Sequence, residues 1–234
     1  MKGILLKKII LFLFIFSAVN AQQTTKNNYG LNVIDDPEIY LSIAEKDSNK
    51  LFIDLEKYIP GIVLDIRYAT KNNFTGEAVY NISKAFLRLP AANALKKIQE
   101  ELNKENLGLK IFDGYRPYSV TVKFYELIGD PEFVASPEKG SRHNRGCAVD
   151  LTLIDLNTGE EIPMPTGYDD FTEEASHSFN ELPEEAIANR EKLKKIMTEN
   201  GFEVYPSEWW HYDFKGWENY ELMDISFEVL EKLN

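Results

Sequence analysis

One stretch constrains the fold more than any other: SRHNRGCAVDLTLI, Ser141 to Ile154. An apolar run of the kind that forms a buried strand carries an aspartate, Asp150, at its start. His143 stands seven residues earlier and is one of three histidines in the chain. Burying a carboxylate is costly unless it is paired or bound to a metal. Any fold this chain adopts must therefore bring a partner to Asp150. Gly146 lies between the two residues and lets the backbone turn, so that both side chains can address one point.

Two partners are open on the residues alone. Asp150 can pair with Arg142 or Arg145, leaving His211 as a core histidine among aromatics. Alternatively, a dication neutralises it. His211 ends the segment SEWWH, three residues after Glu208. Zinc takes imidazole nitrogen and carboxylate oxygen, and a catalytic zinc keeps three protein ligands and one water. His143, Asp150 and His211 supply three ligands, which leaves Glu208 as a general base for the water proton. His177, in the polar segment FTEEASHSF, reads as a surface or supporting histidine rather than a fourth ligand. DGYRP, Asp113 to Pro117, has turn chemistry and sets Arg116 at the mouth of such a site, where a fixed fork of donors suits a developing oxyanion. Cys147 alternates with Val149 and Leu151 and reads as a small buried hydrophobe rather than a nucleophile.

Around this stretch the chain divides simply. Residues 1–21 combine a lysine-bearing start, the apolar run Ile9–Val19 and a small-residue cleavage pattern ending at Ala21, which together predict an export signal. The apolar run is short for a membrane span, which needs about 20 residues. Removing Lys2, Lys7 and Lys8 with the leader takes the formal charge from −12 to −15. So acidic a surface excludes nucleic acid and anionic membrane as partners and leaves a small molecule. With a single cysteine the exported chain has no internal disulfide, so its core must suffice. Nothing in the sequence sets an oligomeric state. Residues 22–50 read as a loose polar lead-in with at most one short turn, and residues 51–234 as one domain.

Within that domain Gly61–Tyr68 and Leu109–Phe112 read as strands, as does the GCAVDLTLID segment. A helix is expected from Pro90, with Leu95, Ile98 and Leu102 on one face, and a second over SVTVKFYELI. The PEEAIANREKLKKIMTENGF segment predicts the strongest helix, with Ile187, Leu193, Ile196 and Met197 inward and Gly201 just past its end. FEVY and HYDF read as short strands around PSEWW, and ISFEVLEKL is ambiguous. The expected fold is α+β, with helices packed on a small, mainly antiparallel sheet.

Taken together, SRHNRGCAVD, EWWH and GYRP resemble the D-alanyl-D-alanine dipeptidases, a branch of the zinc D,D-peptidase family that also contains D,D-carboxypeptidases. DIRYATKNNFTG (Asp65–Gly76) and MPTGYDDF (Met164–Phe171) resemble the dipeptidase branch in particular, and the likeness runs from about Gly61 to Phe214. The resemblance implies one Zn2+ on His143, Asp150 and His211, Glu208 as general base and Arg116 as transition-state stabiliser. It also implies that Ser141 and Asp169 help hold the substrate ammonium, with Asp170 the neighbouring alternative in register. The implied reaction is hydrolysis of D-Ala-D-Ala to two D-alanines in cell-wall turnover. Trimming of a terminal D-Ala from longer peptides is the alternative. A binding module that lost its chemistry is disfavoured, because the three ligands, Glu208 and Arg116 occur together. The best-known dipeptidases of this branch act in the cytoplasm, whereas this chain's leader implies work in the periplasm.

Overall fold

The computed structural model describes residues 26–130 and 134–233; the expected leader lies outside them. The strands are β1 (Val33–Ile34), β2 (Phe52–Asp54), β3 (Val63–Leu64), β4 (Phe86–Arg88), β5 (Leu107–Asp113), β6 (Ala148–Asp155), β7 (Phe202–Tyr205), β8 (Glu208–Phe214) and β9 (Leu222–Met223). The helices are α1 (Pro37–Lys46), α2 (Leu55–Tyr58), α3 (Leu89–Leu102), α4 (Tyr118–Ile128), α5 (Glu184–Glu199) and α6 (Phe227–Leu233). A five-stranded sheet in the order β3-β5-β6-β8-β7 forms the centre, and every pair in it but β3–β5 is antiparallel. This is the expected α+β architecture. No helix among the described residues is long and apolar enough to cross a membrane.

Central β6 is buried along nearly its whole length. Val149, Leu151 and Leu153 alternate into the main core with Leu109 and Ile111 of β5, as a period of two requires. α3 and α5 pack on this sheet. α3 buries Leu95, Ile98 and Leu102, and its buried Gln99 accepts the Leu109 N–H at 2.9 Å.

Register then sets the site. Asp113 of β5 stands opposite Asp150 of β6, and Asp150 stands opposite His211 of β8. Three polar residues are thus lined up across three central strands. An irregularity in β5 between Ile111 and Asp113 brings Asp113 into that row, a use to which strand bulges are often put beside functional sites.

Three readings of these elements need correction. The lead-in is not loose: Asp36 caps α1 by accepting the Glu38 N–H at 2.8 Å, and Tyr40 and Ala44 form a buried i,i+4 pair. Tyr40 accepts the Phe52 N–H at 2.9 Å, which a stretch so polar overall does not advertise. The strand over Gly61–Tyr68 shrinks to β3, because a 3-10 turn at Arg67–Ala69 swings Tyr68 into the interior. Glu208 and the two tryptophans belong to β8 itself, the turn being confined to Pro206 and Ser207. The β2–β4 ribbon has no counterpart in the sequence reading, and the ambiguous C-terminal segment is a helix, α6.

Candidate metal centre

His143 reaches the sheet from a 3-10 turn, His143–Arg145, closed by Gly146 at φ +69. A Cβ on Gly146 would lie 2.2 Å from the Phe52 ring of the β2–β4 ribbon, so conformation and space both demand glycine. The His143 carbonyl accepts from the Arg116 N–H at 3.1 Å. Asn144 accepts the Ser141 N–H and donates to the Arg116 carbonyl and to Thr121, which ties the two functional loops together.

Each histidine has its tautomer fixed from behind. His143 Nδ1 lies 2.7 Å from the Gly114 carbonyl, which can only accept, so Nδ1 carries the hydrogen and Nε2 offers a lone pair. His211 Nε2 lies 3.0 Å from Asp213 Oδ1, so Nε2–H donates there and Nδ1 is the free nitrogen. His143 Nε2, His211 Nδ1 and Asp150 Oδ1 then face one another at 3.2, 3.0 and 3.5 Å. Three electron pairs converging in a buried space require a cation among them. Ligands on a tetrahedral zinc with bonds of about 2.0–2.1 Å sit roughly 3.3 Å apart, so these edges fit one face of that tetrahedron. His143, Asp150 and His211 are also the residues whose ligand atoms group within 4.8 Å of one another. In the metal-free chain a proton meets part of the same demand. Burial pulls His211 down, but Asp213 and Asp150 outweigh it and hold it well above the usual histidine range.

The pairing of Asp150 with Arg142 or Arg145 is not what the fold builds. Arg142 stacks over Trp217 and lies 3.5 Å from Asp213, while Arg145 donates to the Tyr220 carbonyl. Asp150 Oδ2 instead accepts from the Tyr168 hydroxyl at 2.9 Å, with Arg116 at 3.9 Å.

Glu208 begins β8, and its carboxylate stands 3.8 Å from His211 Nδ1. In a regular strand residues three apart face opposite ways. The register of β7 on β8 jumps between Tyr212 and Glu208, and this irregularity lets the two share a face. Burial pushes the Glu208 carboxyl up to about 7, with His211 pulling the other way. Its carboxylate has no hydrogen-bond donor among the described residues. Arg116 gives Nε and Nη2 to Asp113 at 3.0 and 2.8 Å, and Nη1 has no partner among the described residues. Asp113 is braced in turn by the Tyr80 hydroxyl and the Gly114 N–H.

Asp169 occupies left-handed backbone at φ 60, unusual outside glycine. One oxygen accepts from Tyr68 at 3.0 Å; the other is buried without a partner among the described residues. Burial and then Asp150 push its carboxyl up to about 8. Asp170 accepts the Thr172 N–H, and of the two candidates it is Asp169 that lines the cavity. Ser141 accepts the His143 N–H at 3.2 Å as a loop hydroxyl and also lines the cavity. His177 is not a ligand: its ring packs against Tyr212 at 6.1 Å, away from the triad. Cys147 is fully buried and its thiol is pushed up to about 12 by burial.

The triad, Glu208, Arg116, Asp169 and Ser141 all line one cavity of about 390 Å³. Sequence reasoning missed their supports: Asp113, Gly114, Tyr68, Tyr168 and Asp213. Only Asp213 left a readable signal, since a strand places it on the same face as His211 two residues earlier.

The model of the D-ala-D-ala dipeptidase family matches residues 47–229. The chain is 35% identical over 176 residues to the D-alanyl-D-alanine dipeptidase of Escherichia coli (strain K12), covering 75% of this chain and 90% of the relative. It is 35% identical to the D-alanyl-D-alanine dipeptidase of Enterococcus faecium, covering 69% of this chain and 90% of the relative. Against the protein of that name from Streptomyces coelicolor (strain ATCC BAA-471 / A3(2) / M145) the identity is 33%, covering 70% and 91%.

Proposed function

The chain belongs to the D-ala-D-ala dipeptidase family, and on that premise we propose that it is a zinc peptidase that hydrolyses D-Ala-D-Ala to two D-alanines. The observation that carries this reading is the convergence of two tautomer-fixed histidines and Asp150, with Glu208 beside them in the same cavity. His143, Asp150 and His211 would hold the metal. When bound, zinc supplies a Lewis acid for the scissile carbonyl and acidifies the attacking water.

The chain's own residues do the rest. Glu208 removes one proton from the water as its oxygen bonds to the carbonyl carbon. It delivers that proton to the leaving nitrogen as the C–N bond breaks, so the one carboxylate serves both steps. Burial raises the proton affinity of this carboxyl, which suits a group that must take a proton and return it. Arg116, its fork anchored by Asp113, directs Nη1 to the oxygen on which charge develops. The unpartnered oxygen of Asp169 is suited to a free ammonium, which favours a dipeptide over an amino-blocked substrate. Ser141 at the cavity wall is the further substrate contact on this reading. Action outside the cytoplasm, on wall fragments, is part of the proposal and rests on the leader-like residues 1–21.

The test is release of D-alanine from D-Ala-D-Ala by the zinc-loaded protein, beside an N-acetylated tripeptide ending in D-Ala-D-Ala. Cleavage of the dipeptide alone supports the reading. Cleavage of the blocked peptide would move the chain to the carboxypeptidase branch, and cleavage of neither would leave the proposal without support. For the cellular location, the exported form should begin at Gln22 on N-terminal sequencing.

A further inference from the structure

The catalytic cavity carries both signs of charge. Asp169 and Glu208 line it, and so do Lys139, Arg142 and Arg145. The order of groups through the triad can be traced. Asp169 feels Asp150, Arg116 and Glu208 as its charged neighbours. Asp150 faces Nδ1 of His211, whereas Asp213 faces Nε2, across the imidazole ring. Arg142 lies beyond that, with Nε 3.5 Å from Asp213 Oδ2. Acid, metal ligands and cation therefore follow one another across the site.

Of the three cations, Arg142 is the one prepared to bind something. Arg145 is committed to the Tyr220 carbonyl, and Lys139 is exposed. The Arg142 guanidinium carbon lies over the Trp217 ring at 5.0 Å and near Tyr205 at 6.0 Å, and both rings line the same cavity. Asp213 pairs with Nε as an ion at 3.5 Å but does not hydrogen-bond to it. Nη1 and Nη2 have no hydrogen-bond partner among the described residues, and the side chain keeps 38% of its surface. A guanidinium held between two aromatic rings with its two terminal donors unused matches a carboxylate, which it takes in paired hydrogen bonds.

We propose that Arg142 is the anchor for the substrate's C-terminal carboxylate and sets the selectivity of the cavity for peptides with a free C-terminus. The inference rests on the dipeptidase reading above and extends it. A dipeptide carries an ammonium one residue to one side of the scissile bond and a carboxylate one residue to the other. Asp169 and Arg142, on opposite sides of the triad, address those two charges and so fix the direction in which the substrate lies. The same pair excludes chains extended past the second residue, because the carboxylate they need would be missing.

The experiment compares D-Ala-D-Ala with D-alanyl-D-alaninamide on zinc-loaded wild type, Arg142→Met and Arg142→Lys, with zinc content measured for each. Methionine keeps an apolar stem against Trp217. Wild type should prefer the free acid. Arg142→Met should lower kcat/KM for the acid by about 10- to 100-fold, the span of one charged hydrogen-bonding contact. The loss should fall mainly in KM, bring the acid-to-amide ratio toward one, leave zinc bound, and be partly reversed in Arg142→Lys. Equal losses on acid and amide would overturn the proposal, since they would mean that Arg142 acts only through Asp213 and His211. So would a wild type that cuts both substrates equally well. Wild type that cuts neither would overturn the dipeptidase reading and this proposal with it.

Discussion

Two buried charged regions of this molecule can be set side by side. In the first, Arg190 of α5 is 1% exposed, yet each of its nitrogens has an acceptor. Nε reaches Glu191, Nη1 the carbonyls of Ser176 and Phe179, and Nη2 the side chain of Asn180. In the second, Asp150, Asp169 and Glu208 line one cavity together with Arg116 and Arg142, and Asp113 and Asp213 stand behind it, against Arg116 and Arg142 respectively. There the second oxygen of Asp169 is buried without a donor among the described residues. The chain completes the first region by itself. It leaves the second short of positive charge, to be completed by a metal and a substrate amine. Incomplete pairing, rather than buried charge as such, marks the functional region.

Substitutions on the two sides should separate cleanly. Glu208→Gln keeps the shape and removes the base. It should lower kcat for D-Ala-D-Ala by about 10³- to 10⁴-fold, at the upper end of what one general acid–base group contributes. Zinc stoichiometry should stay at one per chain. Near-normal turnover in that variant would reject the base assignment.

Arg190→Met tests the completed side. It strands four acceptors, three of them supplied by the 176–180 loop, and should cost about 3–5 kcal/mol in urea unfolding. Turnover per folded molecule should hardly change, because Arg190 lies outside the cavity. A stability loss under about 1 kcal/mol would mean that water replaces the guanidinium at little cost.

Asp169→Asn sharpens the comparison within the cavity. It replaces a carboxyl that can ionise against the substrate ammonium, and whose second oxygen has no partner among the described residues, with an amide that cannot. KM for D-Ala-D-Ala should rise about 10- to 100-fold, the worth of one charged hydrogen bond, with kcat less affected. If kcat falls and KM does not, Asp169 acts on the reaction rather than on the ammonium.

The sequence made the second region far more legible than the first. His143, Asp150, His211 and Glu208 stand out because a strand seldom carries such residues inward without use. The motifs that include Arg116, Ser141 and Asp169 added those positions by resemblance. What holds them was hidden, because it arrives through register and loop contact: Gly114 offers only a carbonyl, and Tyr68 and Tyr168 come from distant segments. The first region was read only in part: Leu193 and Met197 face inward as expected, but Arg190 was not foreseen. Apolar spacing on α5 points to Ile187, Leu193, Ile196 and Met197; the structure buries Leu193 and Met197 but completes the face with Ala186 and Arg190, leaving Ile187 and Ile196 half-buried. An arginine in the middle of an inward stripe breaks the hydrophobic pattern, and only the carbonyls of a distant loop explain it. The lead-in helix was lost for a related reason, its buried face being only Tyr40 and Ala44.

His177 is the exception inside the completed region, and it gives the smallest predicted effect. Its N–H donates to the Pro206 carbonyl, but both ring nitrogens are buried without partners among the described residues. Burial, and then Lys194 and Arg190, push its pKa down to about 4, against about 6.5 in an unfolded chain. Between those values the unfolded chain binds the proton and the folded one does not. Stability contributed by the neutral ring is therefore intact above pH 6.5 and is lost as the pH falls toward 4. The shift alone sets a ceiling of about 3 kcal/mol, and a partly solvated ring should deliver about 1–2 kcal/mol. Metal ligands titrate in the same range, so the informative quantity is the difference between wild type and His177→Phe, measured by urea unfolding from pH 7.5 to 4.5. That difference should swing in favour of the phenylalanine variant as the pH falls. Parallel curves would mean that the ring is hydrated in solution, and that the region built around Arg190 admits water where its own polar groups run out.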